Sequence, residues 1–274
     1  MIIIGEKING AVPKSGKAIK GHDSDYIKEI AIAQANALDE DNDYLDCCVG
    51  TDDPEVETLE WLMGIIQENT DMRIAIDSPS PEHCVEAMKF ANKPGIINSV
   101  SMQSGKIETI FPVIGKPENE EWGCIALLSD DKGSPAEADG RIELLRQILE
   151  QADKYGIAHD RLYIDPLVET LGTSPESLLT FAECCRKIKE LDPALHITSG
   201  LSNISFGLPV RKVINFAFMA LAMEAGMDSC IIDPLARDLR GVIYATDALL
   251  GEDEYCGEYL GAYRDNIFGP VKEA

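Results

Sequence analysis

Histidine is scarce in this sequence, and the cysteines are not spaced as metal ligands. Four histidines occur among 274 residues, and none of the eight cysteines forms a CxxC pair. Zinc sites depend on closely spaced Cys and His ligands. Cys47 and Cys48 are adjacent, and adjacent strand residues point to opposite faces, which suits a shared ion poorly. We therefore expect free thiols and no metal site.

Basic residues are also few. The chain has 24 Lys and Arg against 48 Asp and Glu, which gives a net charge of −24. Such a surface repels nucleic acid phosphates and anionic lipid, so we expect neither as a partner. The charge itself fits a soluble, self-repelling surface, a partner with a basic docking face, or a salty cytoplasm.

Long apolar runs are missing as well. No run approaches the roughly 20 residues that a membrane helix needs. The apolar start at residues 1–5 is short and is followed closely by Lys7. We interpret this start as a buried strand and not as a signal peptide. The sequence therefore predicts a cytoplasmic protein with no membrane partner.

No nucleotide-binding glycine motif accompanies the strands: GxGxxG does not follow the first strand, and GxxxxGK[ST] is absent. What the chain does contain is an alternation of short apolar runs with longer stretches of helical periodicity. The runs fall at residues 2–4, 44–49, 72–76, 95–97, 123–128, 162–164, 196–198 and 229–232. Eight such units predict one α/β domain over residues 1–274, a (βα)8 TIM barrel, in preference to an open doubly wound sheet.

Several helix boundaries have clear signals. Asp53-Pro54, Ser80-Pro81 and Ser174-Pro175 each place a capping residue before a proline, which is typical of a helix start. Tyr155-Gly156 has the form of a helix exit that leads into the next strand.

Polar side chains end most of the apolar runs. In this fold the chemistry lies at the carboxyl ends of the strands. The strand ends lack a Ser–His or Cys–His pair for acyl transfer. Their carboxylates and amides instead suit the N–H groups and carbonyl of a flat heterocycle such as a pterin. Magnesium binding by Asp77, Asp165 and Asp233 is an alternative use, and helix capping is a third. These strand-end residues are Glu6, Asp46, Asp77, Asn98, Asp165, Asn203 and Asp233.

Five motifs occur in the order found in one known family. They are Ile-Gly-Glu-Lys-Ile-Asn-Gly at 4–10, Ile-Asp-Ser at 76–78, Ile-Asn-Ser at 97–99, Leu-Tyr-Ile-Asp-Pro-Leu at 162–167 and Gly-Leu-Ser-Asn-Ile-Ser at 200–205. With them, essentially the whole chain resembles the methyltetrahydrofolate–corrinoid protein methyltransferases. The Tyr-Ile-Asp-Pro and Gly-Leu-Ser-Asn segments are the most specific.

The resemblance implies a pterin-binding barrel, usually a homodimer. Such an enzyme moves a methyl group between tetrahydrofolate and the cobalt of a corrinoid (a cobalamin) carried by a partner protein. Asp77, Asn98 and Asp165 match positions that hold the pterin ring. Asn203 matches the amide that hydrogen-bonds the methyl-bearing nitrogen. The remaining matched positions are Arg211, near the folate and corrinoid side, and Glu6 and Asp46, which line the site.

Two segments depart from the family pattern. The motif Asp-x-Asn-Val-Gly reads Asp-Cys-Cys-Val-Gly at 46–50, so Cys48 replaces an amide and receives no ligand role. The loop at 205–209 looks more like that of enzymes in demethylation systems for methylated amines or aryl ethers. The direction of transfer therefore stays open.

Three other functions compete with methyl transfer. Dihydropteroate synthase is a related pterin barrel, but its Asn-Val-Thr-Pro-Asp-Ser-Phe signature is missing. A non-catalytic folate or corrinoid-protein binder is supported only by Cys48. A magnesium-dependent lyase would use the acidic strand ends as ligands.

Overall fold

Eight parallel strands form one sheet in the computed structural model, which describes residues 1–50 and 56–270. The sheet order is β7-β6-β5-β4-β3-β2-β1-β8. The strands are β1 (Ile2–Gly5), β2 (Tyr44–Cys48), β3 (Arg73–Asp77), β4 (Ile96–Met102), β5 (Gly123–Asp130), β6 (Leu162–Asp165), β7 (His196–Ile197) and β8 (Ser229–Ile232).

The two ends of the sheet meet and close it into a barrel. The amide of Asp228 donates to the carbonyl of Ile197 at 3.2 Å, and the amide of Ile231 donates to the carbonyl of Ser199 at 2.9 Å. Closure leaves no strand edge between β7 and β8 open to solvent. The predicted single-domain TIM barrel is confirmed, and the open doubly wound sheet is wrong.

Helices cover the outside of the barrel. In the described ranges they are α1 (Pro13–Lys20), α2 (Ser24–Ala35), α3 (Val56–Asn69), α4 (Pro81–Ala87), α5 (Lys106–Ile114), α6 (Ala138–Tyr155), α7 (Ser177–Leu191), α8 (Arg211–Glu224), α9 (Arg237–Leu250) and α10 (Gly257–Arg264). A 3₁₀ helix, Leu201–Ser205, follows β7. None of the described helices has the length and apolar character needed to cross a membrane.

Some of the predicted helix boundaries are confirmed by the structure, and others are not. The Ser80 hydroxyl accepts a hydrogen bond from the His83 amide and Pro81 opens α4, so this start is confirmed. Gly156 ends α6 with a φ of 70°, as predicted. The start at Ser174-Pro175 is wrong, because a turn precedes α7: the Ser174 amide donates to the Thr170 carbonyl at 2.9 Å. The predicted start at Asp53-Pro54 lies outside the described residues.

The side chains of the strands divide between two apolar layers. Alternate strand residues face the barrel interior, and the others face the helices. The interior layer contains Ile4, Tyr44, Ala75, Ile96, Ile125 and Tyr163. The larger outer layer packs between strands and helices and includes Cys47.

Polar side chains two residues further along each strand lie on the same face as the interior apolar layer. Tyr44 leads to Asp46 and Cys48, Ala75 to Asp77, Ile96 to Asn98, and Tyr163 to Asp165. The polar strand ends are therefore the upper, carboxyl-terminal continuation of the interior layer. The opposite end is filled by aromatic side chains, since Tyr163 stacks on His196 with ring centroids 4.8 Å apart.

Candidate functional site

A row of polar side chains crosses three strands at the carboxyl end of the barrel. Cys48 pairs in register with Asp77, and Asp77 pairs with Asn98. Beyond β1, Asn9 forms a further parallel bridge with Cys48. Paired residues of parallel strands project to the same face. Asn9, Cys48, Asp77 and Asn98 thus form one continuous wall.

Close backbone contact holds the Asn9 end of this wall in place. The Gly10 amide donates to the Cys48 carbonyl at 2.9 Å, and the Cys48 amide donates to the Ile8 carbonyl at 3.1 Å. A Cβ atom added to Gly10 would lie 2.0 Å from the Val49 carbonyl oxygen, so only glycine fits there. The Asn-Gly pair of the first motif therefore extends the barrel wall past the end of β1.

This wall lines a cavity of about 450 Å³. A volume of this size accommodates a small flat heterocycle. Two lysines contribute to its lining, Lys20 from the end of α1 and Lys106 from the start of α5. Its other lining residues are Asn9, Gly10, Ala11, Cys48, Val49, Gly50, Asp77, Ser78, Pro79, Asn98, Ser99 and Leu127.

Asp46 is buried beneath this wall, with 1% of its surface exposed. Its Oδ2 accepts a hydrogen bond from the Asn9 side-chain amide at 3.0 Å, while its Oδ1 has no hydrogen-bond partner among the residues that the structure describes. Burial raises the pKa of Asp46 well above its usual range, and the negative charges of Asp77 and Glu6 raise it further. Asp46 therefore tends to hold its proton and supports the wall through Asn9.

Asp77 has a more balanced environment. Burial raises the pKa of Asp77 above its usual range, and hydrogen bonding from the Cys48 thiol and the charge of Lys106 offset only part of this rise. A donor and a cation beside a carboxylate favour its ionised form. These two neighbours therefore support Asp77 as a hydrogen-bond acceptor in the cavity.

Asp165 is held by the turn that follows β6. Its Oδ1 accepts a hydrogen bond from the Leu167 amide at 2.8 Å. Arg141 fixes the same turn by donating to the carbonyl oxygens of Pro166 and Leu167, both at 2.7 Å. Burial raises the pKa of Asp165 to about 7, although the Leu167 amide and Arg141 lower it in part.

Glu6 follows β1 at the carboxyl end of the barrel, which we call the mouth, and it lines a smaller pocket of about 120 Å³ that also contains Lys212 and Asp233. Burial and the charge of Asp233 raise the pKa of Glu6 to about 7, against the opposing effects of Lys7 and Arg211. The Lys7 ammonium forms an ion pair with Asp233 at 2.9 Å. This charge balance leaves Glu6 near its titration midpoint at neutral pH.

Asn203 is exposed on the 3₁₀ helix Leu201–Ser205. A Cβ atom added to Gly200 would lie 3.0 Å from the Asn203 side-chain nitrogen, so this glycine gives the amide its space. Arg211 is also exposed, and it donates to the Ser205 hydroxyl at 3.0 Å and to the Ser202 carbonyl at 2.5 Å. Arg211 therefore anchors the segment that carries Asn203.

The predicted site residues fall into distinct groups. Asp77 and Asn98 line the larger cavity, Asp46 lies beneath its wall, and Glu6 lines the smaller pocket. Asp165 is in register with Leu127, which lines the larger cavity. Asn203 and Arg211 belong to the segment after β7. In the described part of the chain, no three His, Cys, Asp or Glu side chains form a group able to hold a metal ion.

Sequence reasoning missed part of the cavity lining. Cys48 was given no ligand role, yet it stands between Asn9 and Asp77 in the wall. The lysines were missed because they belong to helices and not to strand ends. The sequence after Asn98 could have indicated Lys106. The strand β4 continues to Met102, so the next helix begins at Lys106, at the carboxyl end of the barrel.

The chain is similar to known pterin enzymes. The family profile described as Pterin binding enzyme matches residues 48–233. The chain therefore belongs to the pterin-binding enzyme family. It is 44% identical over 273 residues to the methylcorrinoid:tetrahydrofolate methyltransferase of Eubacterium limosum, covering 99% of both chains. The resemblance inferred from the strand-end motifs is confirmed.

More distant relatives share part of the sequence or only the fold. The methionine synthase of Mycobacterium tuberculosis is 27% identical over 244 residues, which are 85% of this chain but 20% of that longer protein. Dihydropteroate synthase from Xanthomonas albilineans, in complex with 7,8-dihydropteroate, superposes with a TM-score of 0.60 at 17% identity over 92% of both chains. The Coxiella burnetii dihydropteroate synthase gives 0.61 at 13% identity, covering 80% of this chain and 85% of that one.

The raised pKa of Asp165 predicts a specific pH dependence of stability. The unfolded chain releases this proton near pH 3.9, whereas the folded chain keeps it to about pH 7. The contribution of the Asp165 proton to the free energy of unfolding is largest below about pH 4, and it is lost as the pH rises to about 7. We expect Asp165→Asn to flatten this fall in urea unfolding series.

The matched control is Asp160→Asn, at the other end of β6, where the side chain is exposed. In this control, the free energy of unfolding should depend on pH as it does in the wild-type protein. Identical slopes in the wild-type protein and the Asp165→Asn variant would contradict the burial of an Asp165 proton.

Proposed function

We propose that this enzyme transfers a methyl group from the cobalt of a methylated corrinoid, carried by a partner protein, to tetrahydrofolate. The observation that carries the proposal is the 44% identity, over 99% of both chains, with a protein named for this reaction. The wall of Asn9, Cys48, Asp77 and Asn98 supports it, because it offers hydrogen-bond acceptors and donors to a pterin ring.

In this proposal, the larger cavity binds the pterin ring. The Asp77 carboxylate accepts the N–H groups of the ring's amino-pyrimidine edge, and the Asn98 amide supplies both a donor and an acceptor beside it. Asp165 is held by the Leu167 amide. With a pKa of about 7, the Asp165 carboxyl group can donate or accept a hydrogen bond near neutral pH.

The corrinoid is a substrate here and arrives from solvent on its own carrier. The ring nitrogen of tetrahydrofolate attacks the methyl carbon, the new C–N bond forms, and the cobalt keeps the electron pair of the broken bond. The nitrogen releases its proton in the course of the reaction. The protein's part is to hold this nitrogen at the open mouth and to stabilise its changing charge, for which orientation is a large term.

Asn203 is proposed to hydrogen-bond the reacting nitrogen. Its side-chain amide can serve as donor or acceptor by rotation, so it can follow the nitrogen through a change of charge. Its exposure at the mouth is compatible with contact to both the folate and an approaching partner. The two hydrogen bonds of Arg211 to the 3₁₀ helix keep this segment in place.

The pterin assignment predicts that Asp77→Ala weakens tetrahydrofolate binding by more than tenfold, since one charged hydrogen-bond acceptor contributes about 1.5–3 kcal/mol. Isothermal titration calorimetry measures the change. Asp160→Ala, at the far end of the barrel, should bind as the wild type does. An unchanged affinity in Asp77→Ala would refute the placement of the pterin ring.

Methyl transfer itself is tested by stopped-flow absorbance, in which a methylated corrinoid protein is mixed with the enzyme and tetrahydrofolate. We expect the corrinoid spectrum to change to that of demethylated cobalt(I) only when both are present. Asn203→Ala should keep folate affinity within about tenfold but lower the transfer rate by about 100- to 1000-fold. Equal losses in affinity and rate would remove the proposed role of Asn203, and a wild type without transfer would refute the function.

We further propose that the enzyme is a homodimer, as the family resemblance implies. Large apolar side chains are exposed on three helices that pack in order, α8 against α9 and α9 against α10, and exposed apolar patches mark interaction surfaces. They are Leu221, Leu249, Leu250, Leu260 and Tyr263. Light scattering should give twice the 29.9 kDa chain mass, and the paired change Leu249→Lys and Leu260→Lys should halve it. A wild-type monomer would contradict the proposal.

A further inference from the structure

Cys48 stands at the centre of the larger cavity's wall. It is 8% exposed, it lines the cavity, and its neighbours in the row are Asn9 and Asp77. The adjacent Cys47 has the opposite orientation and packs in the outer apolar layer. The two thiols therefore share one strand but face different surroundings.

The Cys48 sulfur is engaged on two sides. Cys48 pairs in register with Asp77, so its thiol lies beside that carboxylate, and hydrogen bonding with the Gly50 amide and with Asp77 acts on the pKa of the thiol in opposite directions. Burial and the charges of Asp77 and Asp46 raise the pKa of the Cys48 thiol far above its usual range. The thiol therefore stays protonated. A protonated thiol has a single hydrogen to donate, and the Asp77 carboxylate beside it is an acceptor for that hydrogen.

We propose that Cys48 is a positioning residue for folate: its thiol, fixed by the Gly50 amide, donates to Asp77 and orients that carboxylate toward the heterocycle in the cavity. The proposal rests on the proposed function, because it assigns the heterocycle to the pterin. The site thereby uses a single-hydrogen donor where the resemblance leads one to expect an amide with two donor hydrogens and an acceptor.

The thiol has a second effect, on the charge of Asp77. A donor to the ionised carboxylate lowers its pKa, so removal of the thiol hydrogen raises the pKa of Asp77. Pterin binding by Asp77 needs the ionised acceptor, so affinity falls as the pH drops through this pKa. The ionisable groups that act on Asp77, or that its charge perturbs, are Asp46, Cys47, Cys48, Cys84 and Lys106.

The test compares Cys48→Ala, Cys48→Ser and Cys47→Ala by calorimetric titration with tetrahydrofolate between about pH 5 and pH 8. Cys47→Ala is the matched control, since it removes the same thiol one residue away without touching the cavity. Thermal unfolding of each variant establishes that the barrel is folded. Steady-state kinetics with the methylated corrinoid protein then separate KM from kcat.

Three results are expected together. Cys48→Ala should weaken tetrahydrofolate binding by about three- to tenfold, the effect of one hydrogen bond. Its loss of affinity on acidification should begin at higher pH than in the wild type, with KM raised and kcat kept. Cys48→Ser should restore both the affinity and the pH midpoint, because a hydroxyl also donates one hydrogen.

The contrary results are equally definite. Wild-type affinity and pH midpoint in folded Cys48→Ala would overturn the positioning role, and so would the same change in Cys47→Ala. A failure of Cys48→Ser to restore the pH midpoint would show that sulfur packing matters and not donation. If the wild type itself does not bind tetrahydrofolate, the proposed function fails first, and this outcome differs from all of the others.

Discussion

The candidate site depends on the burial of several carboxylates at one end of a closed parallel sheet. Alternation along each strand makes the polar strand ends a continuation of the barrel's apolar interior. Closure between β7 and β8 then brings them around a common mouth. Buried carboxylates are costly unless they are protonated or hydrogen-bonded. Much of the local structure at the mouth consists of the groups that hydrogen-bond these carboxylates or shift their pKa values.

Each of these buried carboxylates is stabilised in a different way. Asp46 accepts from Asn9 and is shielded from solvent, and Asp165 accepts from a backbone amide that Arg141 holds in place. Asp77 has the Cys48 thiol and Lys106 nearby, which favour its charged form. Because of these different environments, neighbouring carboxylates at the mouth differ in their tendency to hold a proton. A mouth of this kind suits a ligand that presents both N–H donors and carbonyl acceptors, as a pterin ring does.

The sequence was sufficient to predict the barrel and the row of strand ends. Short β-branched runs alternated with helical periodicity, and polar residues ended the runs, so the positions of Asp77 and Asn98 in one wall followed from the fold. The prediction failed where local signals competed. Ser174-Pro175 has the form of a helix start, but the Ser174 amide donates to the Thr170 carbonyl in a turn before α7. The role of Cys48 depends on its register with Asp77, which strand composition alone does not reveal.

The central claim is that the cavity beside Cys48, Asp77 and Asn98 binds the folate head. A crystal structure of the enzyme soaked with tetrahydrofolate tests it most directly. The account predicts a pterin ring in this cavity, with its amino-pyrimidine edge within hydrogen-bond distance of the Asp77 carboxylate and the Asn98 amide. A pterin ring in the smaller pocket beside Glu6 and Lys212, or outside the barrel mouth, would contradict it.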